Sequence, residues 1–120
     1  EIAQCLVGSE MCIRDSDGAM AYETFLTKQR TDTDRHWWVQ AENIVGHSNL
    51  YQHFDDEVAL QKAFRCWEFI KKNLIDNRNG EWYWSIYADG TVNTDDDKAG
   101  FWKCPYHNGR MCMEIMERFS

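Results

Sequence analysis

Asp55-Asp56-Glu57-Val58-Ala59-Leu60-Gln61-Lys62-Ala63-Phe64-Arg65-Cys66-Trp67-Glu68-Phe69-Ile70-Lys71-Lys72-Asn73 carries the clearest periodicity in the chain. Ala59, Ala63, Phe64, Trp67, Ile70 and Leu74 recur at i, i+3 and i+4, and the acidic opening offers an N-cap oxygen and a first-turn carboxylate. The spacing therefore predicts a helix from about Asp55 to Asn73. Upstream, a second helix is expected from about Arg35 to His53, with Trp38, Ala41, Val45 and Leu50 near helical spacing and Trp37, Ile44 and Tyr51 widening the stripe. A helix apolar over so much of its circumference belongs between neighbours rather than on a surface.

Downstream, Asn77-Arg78-Asn79-Gly80 breaks the helix, and Trp82-Tyr83-Trp84-Ser85-Ile86-Tyr87 reads as a short aromatic strand closed by a turn at Ala88-Asp89-Gly90. Thr94-Asp95-Asp96-Asp97 is a solvated acidic loop. A last helix is expected from about Tyr106 to Phe119, burying Met111, Ile115, Met116 and Phe119. At the other end, Asp17-Gly18 turns into a short extended piece over Ala19-Met20-Ala21-Tyr22-Glu23, and residues 27–35 read as polar loop. The order is helix, helix, aromatic hairpin, long loop, helix, without alternating βαβ units, so the fold class is all-α with antiparallel helix pairs. Three helices leave faces uncovered, and this implies a piece of a larger helical assembly.

Residues 1–16 stand apart. Cys5-Leu6-Val7-Gly8-Ser9-Glu10-Met11-Cys12-Ile13-Arg14-Asp15-Ser16 has neither clean periodicity nor a turn leading into the Asp17-Gly18 segment, and it resembles the translated adapter sequence that contaminates assembled sequencing libraries. It is read as a non-native leader, with the folded unit spanning 17–120.

One hundred and twenty residues with 43% hydrophobic and 14% aromatic content suit one modest domain, too apolar for a disordered chain. The net charge of −7 and scattered Lys and Arg argue against a nucleic-acid partner. No apolar run approaches the roughly 18 residues of a membrane span, and the N-terminus lacks a signal-peptide pattern, so a cytoplasmic address is expected. The five cysteines are odd in number and contain no C-x-x-C pair, favouring reduced thiols over a disulfide framework or zinc ribbon. Cys104, His107 and Cys112 lack a convincing fourth metal ligand.

Chemistry concentrates in Gly100-Phe101-Trp102-Lys103-Cys104-Pro105-Tyr106-His107-Asn108-Gly109-Arg110. The chain's one proline suits a helix start, placing His107 in the first turn, where the dipole's positive end favours the neutral, base-competent imidazole. Trp38 and Glu42 are four apart, so an indole and a carboxylate emerge from one side of their helix. A sugar's apolar face stacks on indole while its hydroxyls need charged acceptors, which makes Trp38, Glu42, Trp102 and His107 a candidate sugar site. The same residues also suit packing, with Glu42 paired to an Arg or Lys. Arg110 reads as structural, Trp37, Trp67, Trp82 and Trp84 as core or rim, and His36, His47 and His53 as weak candidates.

Trp37-Trp38-Val39-Gln40-Ala41-Glu42 and the segment from Gly100 to Cys112 resemble the cellobiose 2-epimerase branch of the N-acylglucosamine 2-epimerase family, with Trp67-Glu68-Phe69-Ile70 and Gly80-Glu81-Trp82 adding to the likeness from about Asp17 onward. The resemblance implies the C-terminal third of an (α/α)6 barrel. It also implies inversion at C2 of the reducing-end glucose of a β-1,4-linked disaccharide, without metal or redox cofactor. By position, His107 matches one of two catalytic histidines, Trp38 and Trp102 match sugar-stacking platforms, and Glu42 matches a carboxylate bonded to sugar hydroxyls. The second histidine and an enediolate-steadying arginine belong to an earlier part of the family sequence, so the chain alone is expected to be inactive. Two other readings stay open: a monosaccharide 2-epimerase or isomerase on the same barrel, and a non-catalytic carbohydrate-binding helical module. The partner expected is a small-molecule sugar substrate, with neither nucleic acid nor membrane, and the oligomeric state is left open.

Overall fold

Asp56 starts a helix as its chemistry requires. Its backbone is extended at φ −77° and ψ 91°, and its carboxylate accepts from Ala59 N at 3.0 Å, filling one of the donors a helix start leaves open. The computed structural model describes residues 17–20, 23–25 and 30–120, so the leader expected at residues 1–16 lies outside the described residues. Two long helices, α1 (Trp37–Phe54) and α2 (Glu57–Phe69), are joined by only Asp55 and Asp56. Asp55 takes the left-handed conformation, φ 51° and ψ 34°, which reverses the chain so that α2 returns against α1.

α1 is buried over much of its circumference from Trp37 to Ser48, as its broad stripe predicts, and emerges at Trp38 and in its last turn. Trp37, Val39, Gln40, Ala41, Asn43, Ile44, Val45, Gly46, His47 and Ser48 are all withdrawn from solvent. Its buried Gln40 behaves like a piece of strand: Oε1 accepts from Met20 N and Nε2 donates to Met20 O, both at 2.8 Å. This fixes the segment after the Asp17-Gly18 turn onto the helix. Gly18, at φ 78°, has no room for a side chain, since a Cβ there would lie 2.7 Å from Arg65 Cβ.

Three local expectations need correction. α2 does not run to Asn73: it gives way to a single π turn, Ile70–Leu74, closed by Ile75 N on Ile70 O at 3.1 Å. The wider turn keeps Ile70 and Leu74 in the core, an advantage that periodicity at 3.6 does not reveal. Residues 27–35 are not all loop, because β1 (Glu23–Phe25) pairs antiparallel with β2 (Arg30–Asp32), and β3 (Arg35–His36) pairs with β4 (Ser85–Ile86). The aromatic run 82–87 is a strand only at Ser85–Ile86. Trp82 instead bridges to Ile75, while Ile86 bridges to Val92 across the turn at Ala88-Asp89-Gly90, giving the short hairpin.

The last helix, α3 (Tyr106–Phe119), has the expected limits but not the expected burial. Met111 packs into the core with Trp37, Ala41, Ile44, Cys66 and Trp82, whereas Met116 and Phe119 are exposed. Those two line an open apolar groove of about 510 Å³ between the three helices, with Leu60, Phe64 and Trp67 opposite. The uncovered face is the one that three helices expected to belong to a larger helical assembly must leave. Among the described residues no helix is long and apolar enough to cross a membrane.

Burial separates the cysteines chemically. Cys66 lies in the core, and loss of hydration pushes its thiol up to about 12, while Cys104 and Cys112 are exposed. Thiol labelling at pH 8 followed by peptide mapping should modify Cys104 and Cys112 promptly and reach Cys66 only in denaturant; equal labelling of Cys66 in the native protein would contradict this packing.

Candidate active site

Pro105 caps α3 at φ −73°, and its carbonyl accepts from Gly109 N at 3.0 Å. His107 therefore sits in the first turn, as proline chemistry predicts. Across from it, α1 presents Trp38 and Glu42 one helical turn apart. His107 Nδ1 lies 2.9 Å from Glu42 Oε1, and Arg110 Nη1, one turn further along α3, donates to both Glu42 oxygens at 3.2 and 3.3 Å. A carboxylate can only accept, so Nδ1 carries the proton and Nε2 carries the lone pair of the neutral ring. Among the described residues Nε2 has no hydrogen-bond partner.

Three aromatic rings enclose the imidazole. Trp37 and Tyr106 meet it edge-on at centroid distances of 5.3 and 5.0 Å, and Trp38 lies tilted at 5.8 Å. Trp38 remains 39% exposed beside the imidazole. The ring and its carboxylate partner are only partly screened, with His107 at 31% and Glu42 at 14% side-chain exposure.

Behind this wall lies a charged network. Lys103 Nζ sits 4.6 Å from the Trp37 ring centroid, donates to Lys98 O at 2.7 Å and reaches Glu81 Oε1 at 3.4 Å. The same Glu81 oxygen accepts from Trp82 N and Asn108 Nδ2, each at 2.8 Å. Burial alone would push the Glu81 carboxyl up; the Trp82 amide, the Lys103 charge and the Asn108 amide outweigh it and hold the carboxyl low. For Lys103, burial pulls the ammonium down and Glu81 opposes that pull. On the far side Lys98 Nζ donates to Asp76 Oδ2 at 2.6 Å and to Gly80 O at 3.0 Å.

The candidate residues are brought together in part. Trp38, Glu42 and His107 converge, whereas Trp102 stands at the tip of a tight turn, 81% exposed, with its ring edge-to-face against Phe101 at 4.8 Å. Glu42 does have the Arg partner of a packing glutamate, in Arg110, and it holds His107 as well. Trp67, Trp82 and Trp84 belong to the core or its margin, while Trp37 is both core and site wall. His47 is a packing residue whose Nδ1 meets Asn43 O at 3.0 Å, and burial lowers its pKa. His53 is exposed on α1, and the His36 carbonyl accepts from Gln40 Nε2. Asn108 reads from the sequence as a residue able to orient a ligand or brace the helix start, and it donates to Glu81; Lys103 and Glu81 are given no role by sequence reasoning, although a lysine inside an aromatic run is a signal that could have exposed the first. Among the described residues no three His, Cys, Asp or Glu side chains gather as metal ligands.

Residues 5–109 match the family profile described as N-acylglucosamine 2-epimerase (GlcNAc 2-epimerase). The chain belongs to the N-acylglucosamine 2-epimerase family. It is 61% identical over 101 residues to a cellobiose 2-epimerase of Bacteroides fragilis and 50% identical over 103 residues to one of Ruminococcus albus, matches that cover 84% and 85% of this chain. It spans about a quarter of the length of these curated relatives, 26% in each case. Among solved structures, a sugar epimerase from a ruminal bacterium superposes with a TM-score of 0.87 at 42% identity, over 99% of this chain and 30% of that one. The cellobiose 2-epimerase of Bacillus thermoamylovorans also gives 0.87 at 42% identity, over 98% and 29%. A D-mannose isomerase gives 0.82 at 25% identity, over 92% and 28%. The three helices and the hairpin are thus part of an α/α barrel, the class the sequence predicts.

The anchor below the Trp102 turn has a pH signature. The Lys98 ammonium, helped by the Asn79 and Arg78 amides, holds the Asp76 carboxyl well below the usual carboxylate range. A carboxyl depressed in the folded state stabilises above its unfolded pKa, about 3.9, and that contribution fades as pH falls toward the folded value. Urea unfolding should therefore show Asp76→Asn less stable than the parent at pH 7, with a gap that narrows at about pH 2.5; an equal gap at both pH values would contradict the pairing.

Proposed function

We propose that residues 17–120 are a C-terminal part, between a quarter and a third by length, of an (α/α)6 barrel that inverts C2 at the reducing-end glucose of β-1,4-linked disaccharides of the cellobiose type. The 2.9 Å contact between His107 Nδ1 and Glu42 carries the reading, because in the neutral ring it leaves the lone pair on Nε2, beside the rings of Trp37, Trp38 and Tyr106. The curated relatives named cellobiose 2-epimerase support the substrate class.

In the ring-opened sugar the C2 hydrogen is acidic because its electrons can pass onto the C1 aldehyde. His107 Nε2 takes that proton, the C2–H electron pair forms the C1–C2 double bond, and the aldehyde oxygen gains the negative charge of an enediolate. Return of a proton to the opposite face of C2 restores the aldehyde in the mannose configuration. That donor, and the arginine that steadies the oxyanion, come from parts of the barrel beyond this chain. Glu42 keeps the proton on Nδ1 and stabilises the imidazolium formed in the first step, while its second oxygen, held by Arg110, accepts from a sugar hydroxyl. Trp38 and Trp102 offer stacking faces, with the Trp102 turn lying over the sugar. The free thiols of Cys66, Cys104 and Cys112 suit a cytoplasmic enzyme.

A second reading has its own support, since a D-mannose isomerase of Marinomonas mediterranea is 31% identical over 89 residues. An isomerase of that kind forms the same enediolate and returns the proton to C1, so His107 and Glu42 keep their roles. A carbohydrate-binding module would use the tryptophans and make no demand on the imidazole.

A chimera carrying this chain's residues in place of the 101 matched residues of the Bacteroides fragilis enzyme separates the readings. It should epimerise cellobiose, and His107→Asn should lower kcat by about a hundredfold or more with KM within a few-fold. Unchanged turnover in His107→Asn would refute the catalytic assignment, and ketose formation from mannose without epimerisation would favour the isomerase. The 120-residue chain alone should convert no cellobiose.

A further inference from the structure

Lys103 is the largest side chain in the described residues that is fully withdrawn from solvent, at 1% exposure. Such a lysine is weak evidence for a stabilising role. Taking an ammonium out of water costs free energy even when it is paired, and a buried ion pair replaced by apolar side chains of like volume often leaves a protein as stable or more so. Its carboxylate partner is equally unusual, because Glu81 holds a left-handed backbone at φ 63°, a conformation disfavoured for residues with a Cβ and concentrated at functional sites.

The contacts of this pair lead to three different parts of the proposed site. Lys103 N and O close the Gly100–Lys103 turn by paired backbone bonds of 3.3 and 2.8 Å, and Nζ ties that turn to Lys98 O, so the lysine braces the loop whose tip is Trp102. Nζ also lies 4.6 Å from the ring centroid of Trp37, whose edge packs on His107. Glu81, through the oxygen that faces Lys103, holds Asn108, the residue after His107 in α3. The platform turn, the aromatic wall and the start of the His107 helix thus meet at one ion pair, whose lysine is buried and whose carboxylate is partly screened.

We propose that Lys103 and Glu81 are positioning residues that set the Trp102 platform and the His107 imidazole at the spacing the sugar requires. The inference rests on the epimerase reading of the site. Neither residue touches substrate; each acts through Trp37, Asn108 and the 100–103 turn. Because a displacement of about 1 Å in a catalytic group can cost a hundredfold in rate, losing the brace should appear in turnover before it appears in stability.

Lys103→Met fills the same space without charge, and Glu81→Gln keeps the shape of the acceptor. In the chimera both should lower kcat about ten- to a hundredfold, with KM within about threefold and the melting temperature within a few degrees of the parent. A purely structural role would instead lower the melting temperature and leave kcat per folded molecule intact. A kcat within twofold of the parent in both variants overturns the proposal. The indole N–H resonance of Trp37 and the ring resonances of His107 give a readout free of turnover: both should move in Lys103→Met, and unmoved signals also overturn it. His107→Asn keeps the two levels apart. If it stays active, the epimerase reading and the positioning role fall together; if it is inactive while Lys103→Met and Glu81→Gln are not, the positioning role alone falls.

Discussion

One carboxylate, that of Glu42, sets the orientation of the candidate site. It lies on the face of α1 one turn after Trp38 and takes His107 Nδ1 and the Arg110 guanidinium from α3. Two helices far apart in sequence are thereby tied at the point where the chemistry is placed. At 14% exposure such a carboxylate needs partners, and the cation beside it satisfies the charge while the imidazole takes up the direction. Without Arg110 the carboxylate would be a partly buried charge with the imidazole as its one remaining side-chain partner among the described residues. Without Glu42 the two imidazole nitrogens would compete for the proton with no acceptor to choose between them.

Much of this arrangement was legible in the sequence. The i, i+3, i+4 recurrence marks the α2 start, the proline marks the α3 start to the residue, and the four-residue spacing places Trp38 and Glu42 together. These are local properties, decided by caps and helical geometry. The π turn at Ile70–Leu74 and the reduction of the aromatic strand to Ser85–Ile86 were not legible, because both depend on what lies opposite: Trp82 is drawn to Ile75 and Ile86 to Val92. Met116 and Phe119 read as core because periodicity marks an apolar face without saying whether anything in the same chain covers it.

The candidate site divides along the same line. His107, Trp38, Glu42 and Trp102 can be named from residue type and motif, but the grip of Glu42 on His107 cannot, since the two are 65 positions apart. Trp37 reads as a packing residue and proves to pack against the imidazole itself. The lysine beneath it carries no signal of its burial in the sequence, because buried lysines are rare and composition treats every lysine alike. Long-range pairing of charged groups is the property that a single sequence expresses least.

The tautomer of His107 is the most direct test of the site's chemistry. Nitrogen-15 NMR of the imidazole, recorded at a pH where the ring is neutral, should show the proton on Nδ1 and an unprotonated Nε2, with the signal altered in Glu42→Gln. A neutral ring protonated at Nε2, and indifferent to Glu42, would contradict it.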